Sequence, residues 1–277
     1  MVGPVSRAST GQVGRRDTIP DTQLFRLYGQ LRKAHQKDRL AEAERLVKQP
    51  GLLAKMFAES VLEFAGYSNI DEPFHPRPVG EKPSKGKFAG GATGRRVAHV
   101  LALSDRSVTV KGASDLKLIY VDHEVKPART TGGAVYPDGR PSTIGMNLDL
   151  LLRDSAGTPA VCEVKASGDM DPFFALVQAL ACTAQLVSRA QRQRLAHWYP
   201  KLKTDGPIDV FVLQVARDGH PRGPFMPALT DAANDLIHLL GANKAITKHI
   251  RTMAVLTTPE ESLKNNKLHL SVSAINR

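Results

Sequence analysis

The chain has 277 residues, 42% hydrophobic and 5% aromatic, with 38 Lys and Arg against 27 Asp and Glu, a formal net charge of +11. This balance excludes a disordered chain and suits one compact domain or two small ones, and no apolar run approaches the ~18 residues that cross a membrane. The basic excess points to a polyanionic partner, while two lone cysteines, Cys162 and Cys182, make neither a disulfide framework nor a metal-spaced cluster and suit a reducing cytoplasm.

Residues 1–20 lack the apolar stretch of a secretory signal and read as a flexible leader. Residues 21–70 read as a helical N-terminal region. Leu24, Leu27, Tyr28 and Leu31 recur at helical spacing after Asp21 and Thr22, which suit a helix cap. Residues 39–48 predict a short charged helix ending before Pro50, and residues 52–64 a third helix stopped by Gly66. Residues 71–96 hold four prolines and five glycines and read as a loop. This loop is basic, with Arg77, Lys82, Lys85, Lys87, Arg95 and Arg96, and it lacks the glycine–lysine–hydroxyl sequence of a phosphate loop. Residues 97–277 read as an α/β core. Strands are predicted over 97–103, 107–111, 116–121, 147–153, 159–166, 208–215, 249–257 and 267–273. A long helix is predicted from Asp171, a good cap followed by Pro172, to about Arg192, and another over 229–240.

The chemistry-bearing segment runs from Asn147 to Ala166. Residues 154–158, Asp-Ser-Ala-Gly-Thr, join two apolar strands, and a hairpin centred on Ala156 opposes Asp149 to Glu163 and Asn147 to Lys165. Asp149, Glu163 and Lys165 then share one face with Leu151 and Val161, and Leu148, Leu150, Leu152, Cys162 and Val164 share the other. Two carboxylates opposed at roughly 5 Å repel, and a divalent cation with hard oxygen ligands relieves that repulsion. Lys165 adds a charge that can orient a water. This is equipment for metal-assisted phosphodiester hydrolysis; a solvated, charge-alternating hairpin face is the competing reading of the same spacing.

Leu148-Asp149, Glu163-Val164-Lys165 and the helix carrying Gln178 resemble the PD-(D/E)XK nuclease superfamily, over about residues 97–216. The resemblance implies a restriction-endonuclease-like core, a mixed central β-sheet flanked by helices, here with a helical N-terminal extension. It implies that Asp149, Glu163 and the Val164 carbonyl bind Mg²⁺, with Mn²⁺ as a substitute, and that Lys165 positions the attacking water. Gln178 resembles the glutamine of the RecB-like branch. Leu148 stands where the family name has proline, Cys182 stands where that branch has tyrosine, and the cysteines of its iron–sulfur members are absent.

Supporting candidates surround this core. Glu59 and Glu63, one turn apart, could supply a further acid, although Lys55 four residues before Glu59 equally suits a surface ion pair. Asp122 and Glu124 follow a predicted strand end. Gln178, on an apolar helix, needs a polar partner, whether active-site water, a phosphate or a backbone carbonyl. Arg189, Arg192, Arg194, Lys201 and Lys203 surround His197-Trp198-Tyr199, with no acid between Asp171 and Asp205, a pattern suited to phosphate contact and base stacking or to a helix end with a buried Trp. With Lys82, Lys85, Lys87, Arg95 and Arg96 they form the expected nucleic-acid contacts. The expected function is a Mg²⁺-dependent deoxyribonuclease, cutting internally, in restriction, anti-phage defence or repair. A homodimer is the expectation for cutting both strands. The rival readings are a nucleic-acid-binding module without turnover and a protein-interaction subunit.

Overall fold

A threonine hydroxyl starts the first helix. In the computed structural model, which describes residues 20–65, 74, 93–103, 108–127, 146–166, 171–216 and 223–277, Thr22 Oγ1 accepts from Phe25 N at 3.3 Å and caps α1 (Gln23–Lys33). The same oxygen accepts from Ser60 Oγ at 2.7 Å, tying α1 to α3 (Pro50–Ala65) in a buried contact. Between them lies α2 (Gln36–Lys48). Residues 1–19 of the expected leader (1–20) lie outside the described residues, as do 71–73 and 75–92 of the expected basic loop.

The remaining elements in chain order are α4 (Thr93–Leu103), β1 (Val108–Lys111), β2 (Ala113–Val125), β3 (Leu148–Arg153), β4 (Pro159–Ala166), α5 (Pro172–Leu186), α6 (Arg189–Trp198), β5 (Ile208–Ala216), α7 (Met226–Gly241), α8 (Lys244–Thr247), β6 (Ile250–Pro259), α9 (Glu260–Lys264) and β7 (Leu270–Asn276). The seven strands form one mixed sheet in sequence order, antiparallel from β1 to β4, parallel from β4 through β6, and antiparallel again at β7. A short parallel pairing of Val110 with Leu270 and Lys111 with Ser271 closes the sheet on itself.

Helices cover both faces. One face carries α1, α2, α3, α5 and α7, where Leu27, Leu46, Phe57, Leu180 and Leu236 join Leu151, Val161 and Val212 in one core. The N-terminal helices therefore share a core with the sheet. The other face carries α4 and α9, with Val97, Leu101 and Leu263 against Leu118, Leu150, Cys162 and Phe211. Every residue of α5 is buried, because the helix is enclosed by β4, β5, α1, α3 and α7; a helix apolar on all sides needs such a position. Among the described residues no single helix is long and apolar enough to cross a membrane.

Two expected elements differ. Residues 97–103 are the body of α4 and not a strand. The run Val-Ala-His-Val-Leu-Ala is buried without alternation, so its periodicity does not separate strand from helix, and its alanines and leucines favour the helix. The long helix from Asp171 breaks at Val187 and Ser188. Ser188 Oγ accepts from Gln191 N at 3.3 Å and caps α6, and the two helices meet at 90°.

Candidate functional site

The hairpin register is the one expected. Leu150 faces Cys162, Leu151 faces Val161, Leu152 faces Ala160 and Arg153 faces Pro159. The turn is fixed by Asp154, whose Oδ1 accepts from Thr158 N at 2.8 Å, and by Gly157 at φ +88°. The β3–β4 pairing ends at Leu150, while β4 continues to Ala166 on β5. Asp149 sits just past that end, and its Oδ2 accepts from Val164 N at 2.8 Å, so a side chain bridges the strands where the ladder stops. Leu148 corrects the expected alternation: it packs with Leu151 and Val161, not with Leu150 and Cys162. Beyond Leu150 the strand no longer shares the pleat of β4.

Glu163 is fully buried. With both carboxyls ionised, its Oε1 accepts only the weak Cys182 S–H at 3.9 Å and its Oε2 has no donor; protonated, Glu163 hydrogen-bonds to Asp149. Burial, and then the Asp149 charge, push the Glu163 carboxyl well above the ordinary glutamate range, against the pull of Lys165. Burial also raises Asp149, opposed by the Val164 amide, Lys165 and a hydrogen bond with Glu163, and reinforced by Glu124. Asp149, Glu163 and Lys165 thus come close together, but not through the expected pairing of Asp149 with Glu163 and Asn147 with Lys165: the β3–β4 pairing stops at Leu150, and Asp149 reaches the Val164 amide instead.

Lys165 is held in place. Its Nζ donates to Gln178 Oε1 at 3.1 Å and stands 4.9 Å above the Phe174 ring. Gln178 Nε2 in turn donates to the Asn147 carbonyl at 3.3 Å. The glutamine that needed a partner on an apolar helix thus links α5 to Lys165 and to the start of β3. Phe174 sits in the first turn of α5, whose cap Asp171 accepts from Phe174 N at 3.0 Å and pairs with Arg39 of α2 at 3.2 Å. Arg39 also lies over the Phe174 ring at 4.5 Å.

The first turn of α4 closes over Asp149. A Cβ at Gly94 would lie 3.7 Å from Asp149 Cγ. The next residue, Arg95, donates to both Glu124 oxygens at 2.7 and 3.3 Å, and Glu124 has a φ of +49°, a left-handed conformation that costs a non-glycine residue energy. Of the two acids expected after a strand end, Glu124 lies inside β2 and acts on Asp149. Asp122 is buried elsewhere, accepting from Tyr199 Oη at 2.9 Å and from His123 N at 2.7 Å.

The expected nucleic-acid contacts divide. Lys82, Lys85 and Lys87 lie outside the described residues. Arg95 is exposed at the site and holds Glu124; Arg96 is half-buried beside it, and Arg189 is exposed at the start of α6. Arg192 and Arg194 are buried and face inward. Arg192 donates to the carbonyls of Thr204, Asp205 and Gly206, and burial lowers its pKa to about 10. Arg194 donates to the Pro127 carbonyl at 2.7 Å and lies 3.8 Å over the Phe74 ring. Tyr199 is buried and Trp198 packs against the core, so this segment serves the fold. Glu59 pairs with Lys55 at 3.7 Å, the surface ion pair that its spacing allowed.

Tyr28 was legible only as one apolar position of the first helix, yet it stacks on Phe174 with centroids 5.5 Å apart. Its hydroxyl, set among leucines on an amphipathic stripe, is a signal that could have singled it out, although the stacking itself leaves no trace in the sequence.

The donor set suits a small hard cation. Asp149 and Glu163 offer carboxylate oxygens, and Glu163 Oε2 is a buried acceptor lacking a donor. Among the described residues no group of three or more His, Cys, Asp or Glu could hold a metal ion. Mg²⁺ is compatible with so few protein ligands, because it keeps several waters and completes its shell from substrate phosphates. Comparison with family models, curated proteins and solved structures finds no match to the chain.

Proposed function

We propose that the chain is a Mg²⁺-dependent nuclease that hydrolyses phosphodiester bonds in nucleic acid, with DNA as the expected substrate. The observation that carries this reading is the pairing of half-buried Asp149 with fully buried Glu163, whose Oε2 has no donor when both are ionised, with Lys165 fixed beside it by Gln178. A structural carboxylate pair would be expected to have its lone pairs satisfied. With both groups ionised, Glu163 Oε2 lacks a donor, and a cation would satisfy it. The motif likeness of Leu148-Asp149 and Glu163-Val164-Lys165 to PD-(D/E)XK nucleases, and a meander from β2 to β4 followed by α5 and a parallel β5, support the same reading.

Asp149, Glu163 and the Val164 carbonyl would hold the cation, which supplies Lewis-acid polarisation of a phosphoryl oxygen and a lowered pKa for a bound water. The chain's own residues do the rest. Lys165, oriented by Gln178 and by the face of Phe174, presents a positive charge next to the carboxylates, where it can hold the attacking water and offset charge developing on the phosphoryl oxygens. Gln178 confines Lys165 to this direction by bonding it and the Asn147 carbonyl together. Asp149, anchored by Val164 N, keeps one carboxylate oxygen bonded to the strand and leaves the other for the ligand.

The test is incubation of the full chain with single- and double-stranded DNA and RNA, with Mg²⁺, with Mn²⁺ and with chelator. Metal-dependent cleavage that is lost in Asp149→Asn and Lys165→Ala, both still folded, is the expected result. Salt-sensitive binding without cleavage would favour a binding module. Cleavage unchanged in both variants would remove the site assignment.

A further inference from the structure

The α1 side of the site carries two groups that no contact described above explains. Tyr28 lies flat against Phe174, with ring planes 8° from parallel, so it shares this platform with Lys165. Among the described residues its hydroxyl has no hydrogen-bond partner, although the residue is half-buried and tyrosine hydroxyls in such positions usually find one. Arg32 follows four residues later on the same helix and is exposed. The other arginines of α1 and α2 hold carboxylates: Arg26 holds Asp21, Arg39 holds Asp171 and Arg45 holds Glu42. Arg32 holds none among the described residues. The Tyr28 hydroxyl is held in its neutral form by burial; Arg32 acts on it in one sense, and Cys182, Glu163 and Asp149 in the other. It therefore lies within electrostatic reach of both the guanidinium and the carboxyl pair.

We infer that Tyr28 and Arg32 form a phosphate-holding pair for a nucleic-acid strand at the carboxylate site, Tyr28 donating its hydroxyl proton to a phosphoryl oxygen and Arg32 taking the phosphate next to it. This rests on the nuclease reading above. The chemistry is complementary. A phosphodiester is repelled by Asp149 and Glu163, and a neutral donor binds it without a further buried charge, while an exposed guanidinium supplies the attraction. The stacked Phe174 ring fixes Tyr28 so that its hydroxyl needs little ordering when the strand arrives. Helix α1 thereby becomes one wall of the substrate site.

The variants Tyr28→Phe, which keeps the ring stack, and Arg32→Gln test this. Tyr28→Phe is expected to lower kcat about 10- to 100-fold, the scale of losing one aligned donor to a phosphoryl oxygen, with KM and melting temperature little changed. Arg32→Gln is expected to weaken binding of an oligonucleotide in Ca²⁺ and to reduce the slope of log affinity against log salt by about 1. A readout independent of turnover is 3-fluorotyrosine incorporated at residue 28, whose fluorine resonance shifts when the oligonucleotide is added with Ca²⁺. If the unaltered protein cleaves, while Tyr28→Phe cleaves at the same rate and Arg32→Gln keeps the salt slope, the phosphate pair is wrong and the nuclease reading stands. If the fluorine shift and the lost slope appear without cleavage, the pair stands and the nuclease reading falls. If the protein neither binds nor cleaves, both fall.

Discussion

Replacing Glu163 with glutamine is expected to stabilise the protein while abolishing the proposed cleavage. The Glu163 carboxyl is fully buried, has one weak thiol donor at 3.9 Å and one unpartnered oxygen, and faces the Asp149 charge. Glutamine has nearly the same shape. Its Oε1 keeps the Cys182 contact, and its Nε2, at the position of Oε2, gains Asp149 as an acceptor. The relief is that of a buried carboxyl that must either stay protonated or ionise beside Asp149 above its ordinary pKa, on the order of 1–3 kcal/mol, and for a chain of this size each kcal/mol moves the melting temperature about 2 °C. A rise of about 2–6 °C is therefore expected in chelator at about pH 8. The gain depends on pH in a fixed direction. Below the ordinary glutamate value of 4.5 the carboxyl is protonated in both the folded and the unfolded chain, so that the two proteins differ least there. As pH rises from that value, the unfolded chain releases its proton while the folded one keeps it. Wild-type stability then falls by up to about 1.4 kcal/mol per pH unit until the buried group ionises, and the glutamine variant lacks this slope. Added Mg²⁺ is expected to recover stability in the wild type alone. Thermal melts of both proteins from pH 4 to 8, with and without Mg²⁺, check this. A pH-independent gap, or a variant that melts lower at pH 8, would refute the strained carboxyl pair.

Because both carboxyls are raised, Mg²⁺ binding is expected to release protons and to tighten as pH rises; calorimetric titrations in two buffers of different ionisation enthalpy read the release, and none would contradict the assignment. Gln178→Leu is expected to slow cleavage about 10-fold through the freed Lys165, with oligonucleotide binding unchanged; an unaltered rate would show that Lys165 needs no support. Arg194→Ala removes a buried guanidinium from the Pro127 carbonyl, Gln191 and the Phe74 ring, and is expected to cost about 2–4 kcal/mol in urea unfolding, whereas a loss below about 1 kcal/mol would mark it as dispensable. Gly157→Ala meets a φ of +88° and a Cβ 2.9 Å from the Lys201 carbonyl, so a loss of about 1–3 kcal/mol is expected by the same measurement.

What the sequence made legible follows from which signals are local. The turn residues of 154–158 set the register of the hairpin, so the approach of Asp149 and Glu163 could be read before the fold was known. Thr22 and Asp171 announced the starts of α1 and α5 because a cap is a short-range contact. The α4 segment misled, since six consecutive buried residues carry no periodicity to separate helix from strand. Arg192 and Arg194 misled for a different reason. An acid-free basic run reads as surface when its cations find carboxylates or water, but these two find backbone carbonyls contributed by distant or irregular segments, which no local pattern reveals. Tyr28, Phe174 and Lys165 come together only through the packing of α1 on α5, so their stacking has no trace in spacing.

The location of the carboxyl pair explains why so much of the chain converges on it. A β-hairpin that stayed paired to its ends would turn both carboxyls to one face of the sheet. Here the pairing of β3 with β4 stops at Leu150, and Asp149 turns its side chain to the Val164 amide instead. That opening lies at the margin of the sheet, where elements from both faces can reach it. Gly94 and Arg95 arrive with α4 from one face, and Gln178, Phe174 and Tyr28 arrive with α5 and α1 from the other. The site's cations follow the same division, Arg95 already engaged by Glu124 and Arg32 open. Since Arg192 and Arg194 are spent inside the fold, any attraction for a polyanion that a net charge of +11 supplies at the site would come, among the described residues, from groups on α1 and α4. On the proposed nuclease reading, a strand drawn to them would pass over Glu163 Oε2, a buried oxygen without a donor.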